Sequence, residues 1–416
     1  MSIGTKTTTI AGSAVALVGL VAIAGCNAAT SNSVAGAAKS SAPTRTPIAV
    51  SIGDSFISGE GGRFAGNMYT KRISDGASDS GPHNKGQEVY RDAWGGHDFQ
   101  KSKFLGITTD SNEWCHRSES AEINSTKAAF GWTPVNLACS GAVTDNVLKD
   151  GYRTEKAQVT QLENLAKDPK YDVKAVVVSI GGNDLGFSDL LSDAVQYTRY
   201  HDINKEGIWD KATKKRDKIK TDITNTLNKI TDVMRANGYA DGSYKFVYQS
   251  YSNIFAGSDN RYMSVDHSGQ FKRDESPGVP LSNATVDFSR STMVPWITDM
   301  QREAKNAATN RNIQFMNLTN ALAGHELSNK DTKFTLKSSG VAPQANDAEW
   351  VVAINDAYIR GSLGSTQRHQ ESFHPNMFGQ QAYGTCLVNT LNSSSGEVTC
   401  VGQPGKAPSQ VVTTGR

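Results

Sequence analysis

In this chain of 416 residues, 43 Lys and Arg face 41 Asp and Glu, leaving too little surplus basic charge to neutralise a run of phosphates, so nucleic acid is not an expected partner. With 37% hydrophobic residues, 20% charged and only 12 Pro, the composition is neither that of a disordered chain nor, at a mean hydropathy of −0.46, that of a polytopic membrane protein. The length suffices for one large or two ordinary domains.

In chain order, the first feature is a run from Ile10 to Ala24, after Lys6, that is nearly free of polar side chains. It has the length of a signal h-region and is too short to cross a bilayer comfortably, so it reads as an export signal. It ends in Ile23-Ala24-Gly25-Cys26, which resembles a bacterial lipobox: small residues admit a peptidase, and the thiol accepts diacylglycerol. An uncleaved anchor, or cleavage after Ala29, is the alternative. Residues 1–26 are therefore expected to be a lipoprotein-type signal peptide. An acylated Cys26 would hold the protein to a membrane by about 0.8 kcal/mol per buried methylene. Residues 27–46 are dominated by Ala, Ser, Thr, Asn and Gly without an aromatic side chain, a composition that cannot repay the entropy of ordering, and are expected to form a disordered linker. Gly402 to Arg416 has the same character and is expected to be a flexible tail. Between them, residues 47–401 contain no repeat and no long Pro/Gly/Ser-rich break, so a single monomeric domain is expected.

Within that body, short apolar, β-branched runs at Ile48–Ile52, Val135–Ala138, Val173–Ile180, Tyr244–Gln249 and Ile313–Leu318 predict buried strands. Between the third and fourth, Ile219, Ile223, Leu227, Ile230 and Met234 step by three or four residues and Asn237-Gly238 follows, predicting an amphipathic helix with a C-terminal stop. Val294, Ile297, Met300 and Ala304 predict another helix before the fifth strand. This alternation implies an α/β fold: a three-layer α/β/α sandwich on a doubly wound parallel sheet of about five strands. The polar stretches Gly59–Glu113 and Ser252–Asn283 are expected to be long loop insertions on its rim, where substrate-shaping loops sit.

If Cys26 is lipidated, Cys115, Cys139, Cys386 and Cys400 remain, an even number in an exported chain, and three pairings are open. The sequence-local pairs Cys115–Cys139 and Cys386–Cys400 are favoured because each closes a moderate loop, stabilising by about 3 kcal/mol apiece in the chain-entropy argument. A metal site is not expected: no CxxC occurs, and none of the eight His forms an HExxH.

In a doubly wound sheet, ligands bind beyond the carboxyl ends of the strands. After the first strand, Gly53-Asp54-Ser55 can present a hydroxyl beside backbone N–H groups, as an acyl-transfer nucleophile requires. The second strand exits into Cys139-Ser140-Gly141-Ala142, where glycine frees a main-chain N–H. The third exits into Gly181-Gly182-Asn183-Asp184, where Asn183 adds an amide donor. Near the end, Glu371-Ser372-Phe373-His374-Pro375 sets a carboxylate three residues before a histidine pinned by proline. Each motif alone is more often an ordinary turn than a site.

Together, Gly53-Asp54-Ser55, the Gly141 turn, Gly181-Gly182-Asn183-Asp184 and His374 resemble, in order and spacing across Pro47 to Cys400, the SGNH (GDSL-type) hydrolase family of esterases and lipases, whose fold is flavodoxin-like. Trp114-Cys115-His116-Arg117-Ser118 and Ala138-Cys139-Ser140-Gly141 look like the disulfide-bearing, secreted actinobacterial branch, which supports the Cys115–Cys139 pairing. The resemblance implies Ser55 as nucleophile, His374 as general base, and an oxyanion hole of Ser55 N–H, Gly141 N–H and Asn183, with no cofactor and no metal. One position departs: the family's usual Asp is Glu371, whose carboxylate is expected to reach His374 Nδ1, with its main-chain carbonyl as the alternative. Loss of well over tenfold in turnover in Glu371→Gln would mark the first, and near-wild-type activity the second.

The implied function is an extracellular serine esterase or lipase, cell-surface-anchored or secreted, acting on a lipid or small ester. An O-acetyl esterase on cell-wall polysaccharide and a catalytically silent surface binding lipoprotein are the alternatives. Asp54 and Asp184 read as structural partners of their own turns, His369 as a solvated loop residue, and His325-Glu326 as an incomplete zinc motif. The basic run Lys214-Lys215-Arg216, Lys218 and Lys220 reads as a solvated helix face rather than a contact for anionic lipid.

Overall fold

The computed structural model describes residues 44–62, 64–69, 115–152, 155–186, 207–261, 281–333, 344–353 and 371–415. The expected signal segment with Cys26, most of the expected 27–46 linker, the greater part of both expected insertions, Trp114 and His369 lie outside the described residues.

The strands are β1 (Thr46–Gly53), β2 (Phe64–Ala65), β3 (Met68–Tyr69), β4 (Thr133–Asn136), β5 (Tyr171–Ser179), β6 (Lys245–Gln249), β7 (Ile313–Asn320), β8 (Glu397–Val401) and β9 (Val412–Gly415). The helices are α1 (Ser55–Ser58), α2 (Ser125–Phe130), α3 (Thr144–Leu148), α4 (Gln158–Lys167), α5 (Ile208–Lys214), α6 (Arg216–Ala236), α7 (Asn283–Phe288), α8 (Val294–Ala307) and α9 (Met377–Asn392). Among the described residues, seven strands form one sheet in the order β4-β1-β5-β6-β7-β8-β9, parallel from β4 through β8. All five predicted strands are present. Their order places the second beside the first and the third on its other side, so the winding reverses direction around β1. In a doubly wound sheet such a reversal marks where ligands bind, here the carboxyl ends of β1 and β5.

The sheet is covered on its faces by helices, which is why the strands can be apolar throughout: Val176, Val177 and Val178 of β5 and Ile48, Val50 and Ile52 of β1 are all inaccessible to solvent. Helix α6 buries the predicted stripe Ile219, Ile223, Leu227, Ile230 and Met234, and α8 buries Val294, Ile297, Met300 and Ala304. Each such aliphatic side chain stabilises the packing by about 1.5–3 kcal/mol.

One expectation is corrected here. Residues 402–415 are not a flexible tail: Val401 pairs with Val412 and Thr399 with Thr414, adding β9 antiparallel to the edge of the sheet. The stretch whose small polar residues suggest a loose end also contains Val411, Val412, Thr413 and Thr414, a β-branched run suited to an edge strand.

Candidate active site

The turn that carries Ser55 is built on a glycine that no other residue can replace without a clash. Gly53 has φ +143, and a Cβ there would fall 1.8 Å from the Ser179 carbonyl oxygen, so β1 and β5 approach one another only because the side chain is absent. Gln158 of α4 then clamps the same peptide. Gly53 N–H donates to Gln158 Oε1 at 2.7 Å, and Gln158 Nε2 donates to the Gly53 carbonyl at 2.8 Å. Asp54 caps α1 by accepting from Phe56 N–H at 3.2 Å, while its other oxygen accepts from Tyr251 Oη at 2.5 Å. Burial pushes the Asp54 carboxyl up to about 7, against the pull of the Tyr251 and Phe56 hydrogen bonds. The Tyr251 hydroxyl also accepts from Gly182 N–H at 2.9 Å, so one phenol joins the first and third strand exits.

Ser55 is thereby held at the first residue of α1, 8% exposed, with Oγ 2.7 Å from His374 Nε2. The two residues are 319 positions apart in sequence. His374 sits in the loop entering α9, and that loop is pinned at several points. Val352 N–H donates to the His374 carbonyl, and Phe373 N–H donates to the Val352 carbonyl. Asn376 caps α9 with Oδ1 and donates from Nδ2 to the carbonyls of Gly66 and Glu349. Phe373 adopts φ +67, a left-handed conformation that a bulky residue takes only under constraint, and its ring packs edge-on against Phe255.

That turn corrects the expectation for Glu371. His374 Nδ1 lies 3.1 Å from the Ser372 carbonyl oxygen, not on the Glu371 carboxylate or the Glu371 carbonyl. The left-handed turn at Phe373 brings the carbonyl two residues back, rather than the group three residues back, against the ring. Glu371 is buried, and its carbonyl accepts from the His374 main-chain N–H at 3.3 Å. Because a carbonyl only accepts, Nδ1 carries the ring proton, and Nε2 is free to accept from the Ser55 hydroxyl.

Gly141 and Asn183 lie beyond the carboxyl ends of β4 and β5, the strands on either side of β1. Gly141, at φ +86, lies in a turn fixed by the Cys115–Cys139 disulfide and by Ser140 N–H donating to the Cys115 carbonyl at 3.0 Å. Arg117, paired with buried Glu155, donates to the carbonyls of Leu137 and Ala138 and so holds the same turn from behind. Asn183 Nδ2 donates to the Ala142 carbonyl at 3.0 Å, and a primary amide has a second N–H to offer. Asp184 binds Thr144 through its N–H and its hydroxyl, locking the third strand exit to the second.

Sequence reading missed one side chain of this site. Glu60, just beyond the αL cap of α1, is 1% exposed, and its Oε2 lies 3.9 Å from His374 Nε2. Oε1 is 2.9 Å from His116 Nδ1, and Oε2 accepts from the Ser140 hydroxyl. The available signal was a lone charge in the Gly-rich run Ser58-Gly59-Glu60-Gly61-Gly62, right after the turn that carries Ser55.

The second proposed disulfide is also corrected, because Cys386 and Cys400 are buried free thiols on α9 and β8. Burial, reinforced by a hydrogen bond with Cys400, pushes the Cys386 thiol well above its usual range. His325 is a core residue, stacked on Trp350 at 3.8 Å and bonded to the carbonyls of Ala348 and Gln403. Arg216 and Lys220 meet Glu303, and Lys218 meets Asp222. Among the described residues, no three His, Cys, Asp or Glu side chains are gathered to hold a metal ion.

No protein-family model and no curated protein matches the chain. Among solved structures it is similar to the extracellular lipase of Streptomyces rimosus, at 18% identity and a TM-score of 0.44, over 84% of this chain and 100% of that one. It is also similar to phospholipase A1 of Streptomyces albidoflavus, at 17% identity and a TM-score of 0.37, over the same shares. Likeness of this degree fixes no activity for the chain.

Proposed function

We propose that this chain hydrolyses carboxylic esters through an acyl-enzyme on Ser55, as an SGNH-type serine esterase or lipase. The observation that carries the reading is the 2.7 Å contact between Ser55 Oγ and His374 Nε2, with Nδ1 committed to the Ser372 carbonyl. Nε2 accepts the Ser55 proton as Oγ adds to the ester carbonyl carbon. Negative charge then develops on the carbonyl oxygen, where the Ser55 and Gly141 N–H groups and the Asn183 amide serve as donors. The imidazolium returns its proton to the departing alcohol, and the same Nε2 activates water to release the acid. Catalysis requires the neutral tautomer with the proton on Nδ1, which the Ser372 carbonyl selects. A disulfide beside the site suits work outside a reducing cytoplasm, in line with the leader.

A panel of esters graded by acyl length, run with the wild type and Ser55→Ala, tests this reading. Hydrolysis of at least one chain length, falling by about 10³-fold or more in Ser55→Ala, is expected. Equal rates in both proteins would refute it.

A further inference from the structure

Among the described residues, no acid stands behind the base of this site: His374 Nδ1 faces a main-chain carbonyl, which orients the ring but carries no net charge to balance an imidazolium. A carboxylate stands on the opposite side. Glu60 Oε2 is 3.9 Å from His374 Nε2, too far to take the hydrogen bond that Nε2 makes with Ser55, and its burial leaves little solvent to screen its charge. Its place is not accidental to the packing. Glu60 N–H donates to the Ser55 carbonyl at 3.2 Å, Oε1 meets His116 Nδ1 at 2.9 Å, and Oε2 accepts from Ser140 in the turn that carries Gly141. One buried side chain thus ties the nucleophile turn, the disulfide turn and the base together. Burial pushes the Glu60 carboxyl up, but interactions with His116 and His374 and hydrogen bonds from His116 and Ser140 outweigh it and hold the group below its usual range.

We propose that Glu60 is a positioning residue that stabilises the His374 imidazolium through space from its Nε2 side, supplying the electrostatic contribution that an acid behind Nδ1 would otherwise make. The proposal rests on the ester-hydrolase reading above. When the Ser55 proton moves to Nε2, the Oγ–carbon bond forms and the carbonyl electron pair shifts onto oxygen, so a cation appears 3.9 Å from Glu60. When Nε2 gives that proton to the leaving alcohol oxygen, the cation is gone. Glu60 therefore favours the charge-separated transition states over the resting pair, an effect that belongs in kcat and not in KM. The titratable groups recorded against Glu60 are His116, from the segment after Cys115, and His374.

The test compares Glu60→Gln and Glu60→Asp with the wild type in kcat, KM and the pH profile of kcat/KM, each sample normalised by phosphonate labelling of Ser55. For Glu60→Gln, kcat should fall about 10- to 100-fold with KM within about threefold, and the acid limb should move to lower pH by about one unit, because an imidazolium without its anion loses its proton more readily. Glu60→Asp keeps the charge one methylene further back. It should move the limb the same way by less than half as much, and it serves alone if the amide variant does not fold. A folded Glu60→Gln with wild-type kcat and an unmoved acid limb overturns the proposal, as does an unmoved Glu60→Asp when only that variant folds. Wild-type protein that takes no label at Ser55 and turns over no ester defeats the hydrolase reading instead, so the two failures are distinct.

Discussion

At the scale of single residues, the orientation of His374 is decided by Phe373. A left-handed φ at a phenylalanine has no sequence signature, since glycine or asparagine is the residue that announces such a turn, and it is the reason the ring meets Ser372 instead of Glu371. Glu371→Gln is accordingly expected to keep kcat within about threefold of wild type per folded molecule, measured by steady-state ester hydrolysis. A loss beyond tenfold would restore the carboxylate to the mechanism. As candidates, Ser55, Gly141 and Asn183 were legible because each lies just beyond an apolar run, and His374 because Pro375 follows it. Glu60 was not, because its partners Ser140 and His116 lie 80 and 56 residues away and only the fold brings them together.

Elements place these residues through their ends. β1 stops at Gly53, which Gln158 of α4 grips on both sides of the peptide, and β4 leads into a turn stapled by Cys115–Cys139. Reducing that disulfide should cost about 3 kcal/mol of stability, read as a lower Tm, and should lower kcat even where the protein stays folded, because the Gly141 N–H loses its fixed direction. Unchanged kcat after verified reduction would remove Gly141 from the oxyanion hole. Where sequence reading went astray among the elements, composition had been averaged too coarsely. β9 is four residues of edge strand inside a stretch that looks loose overall, and the Cys386–Cys400 pairing was favoured only for the moderate loop it would close, which says nothing of whether the two thiols join.

Across the whole molecule, the sheet was predictable because both faces are covered and its strands are therefore continuous apolar runs, whereas buried carboxyls were not, since burial of one side chain is a property of the completed core. Burial raises Glu122 and Glu349 to about 8 and Asp54 to about 7. The folded protein holds these protons more tightly than the unfolded chain does. Their contribution to stability is therefore full below the ordinary carboxylate range and is lost as pH rises from about 4.5 toward 8. Glu122, whose carboxyl accepts from Gln249 Nε2 at 3.4 Å, is the cleanest case. Glu122→Gln, which imitates the protonated acid, should raise Tm by several degrees at pH 8, on the order of 1–3 kcal/mol, and change it little at pH 5. Equal shifts at both pH values would show that the carboxyl is not protonated in the native core.

The union of Ser55 with His374 across the full length of the fold is tested most directly by treating the folded protein with a serine-directed phosphonate and locating the adduct by mass spectrometry. A single adduct on Ser55, absent after heat denaturation and strongly slowed in His374→Ala, is the predicted result. A folded protein that takes no label, or takes it on another serine at the same rate with and without His374, would contradict the account.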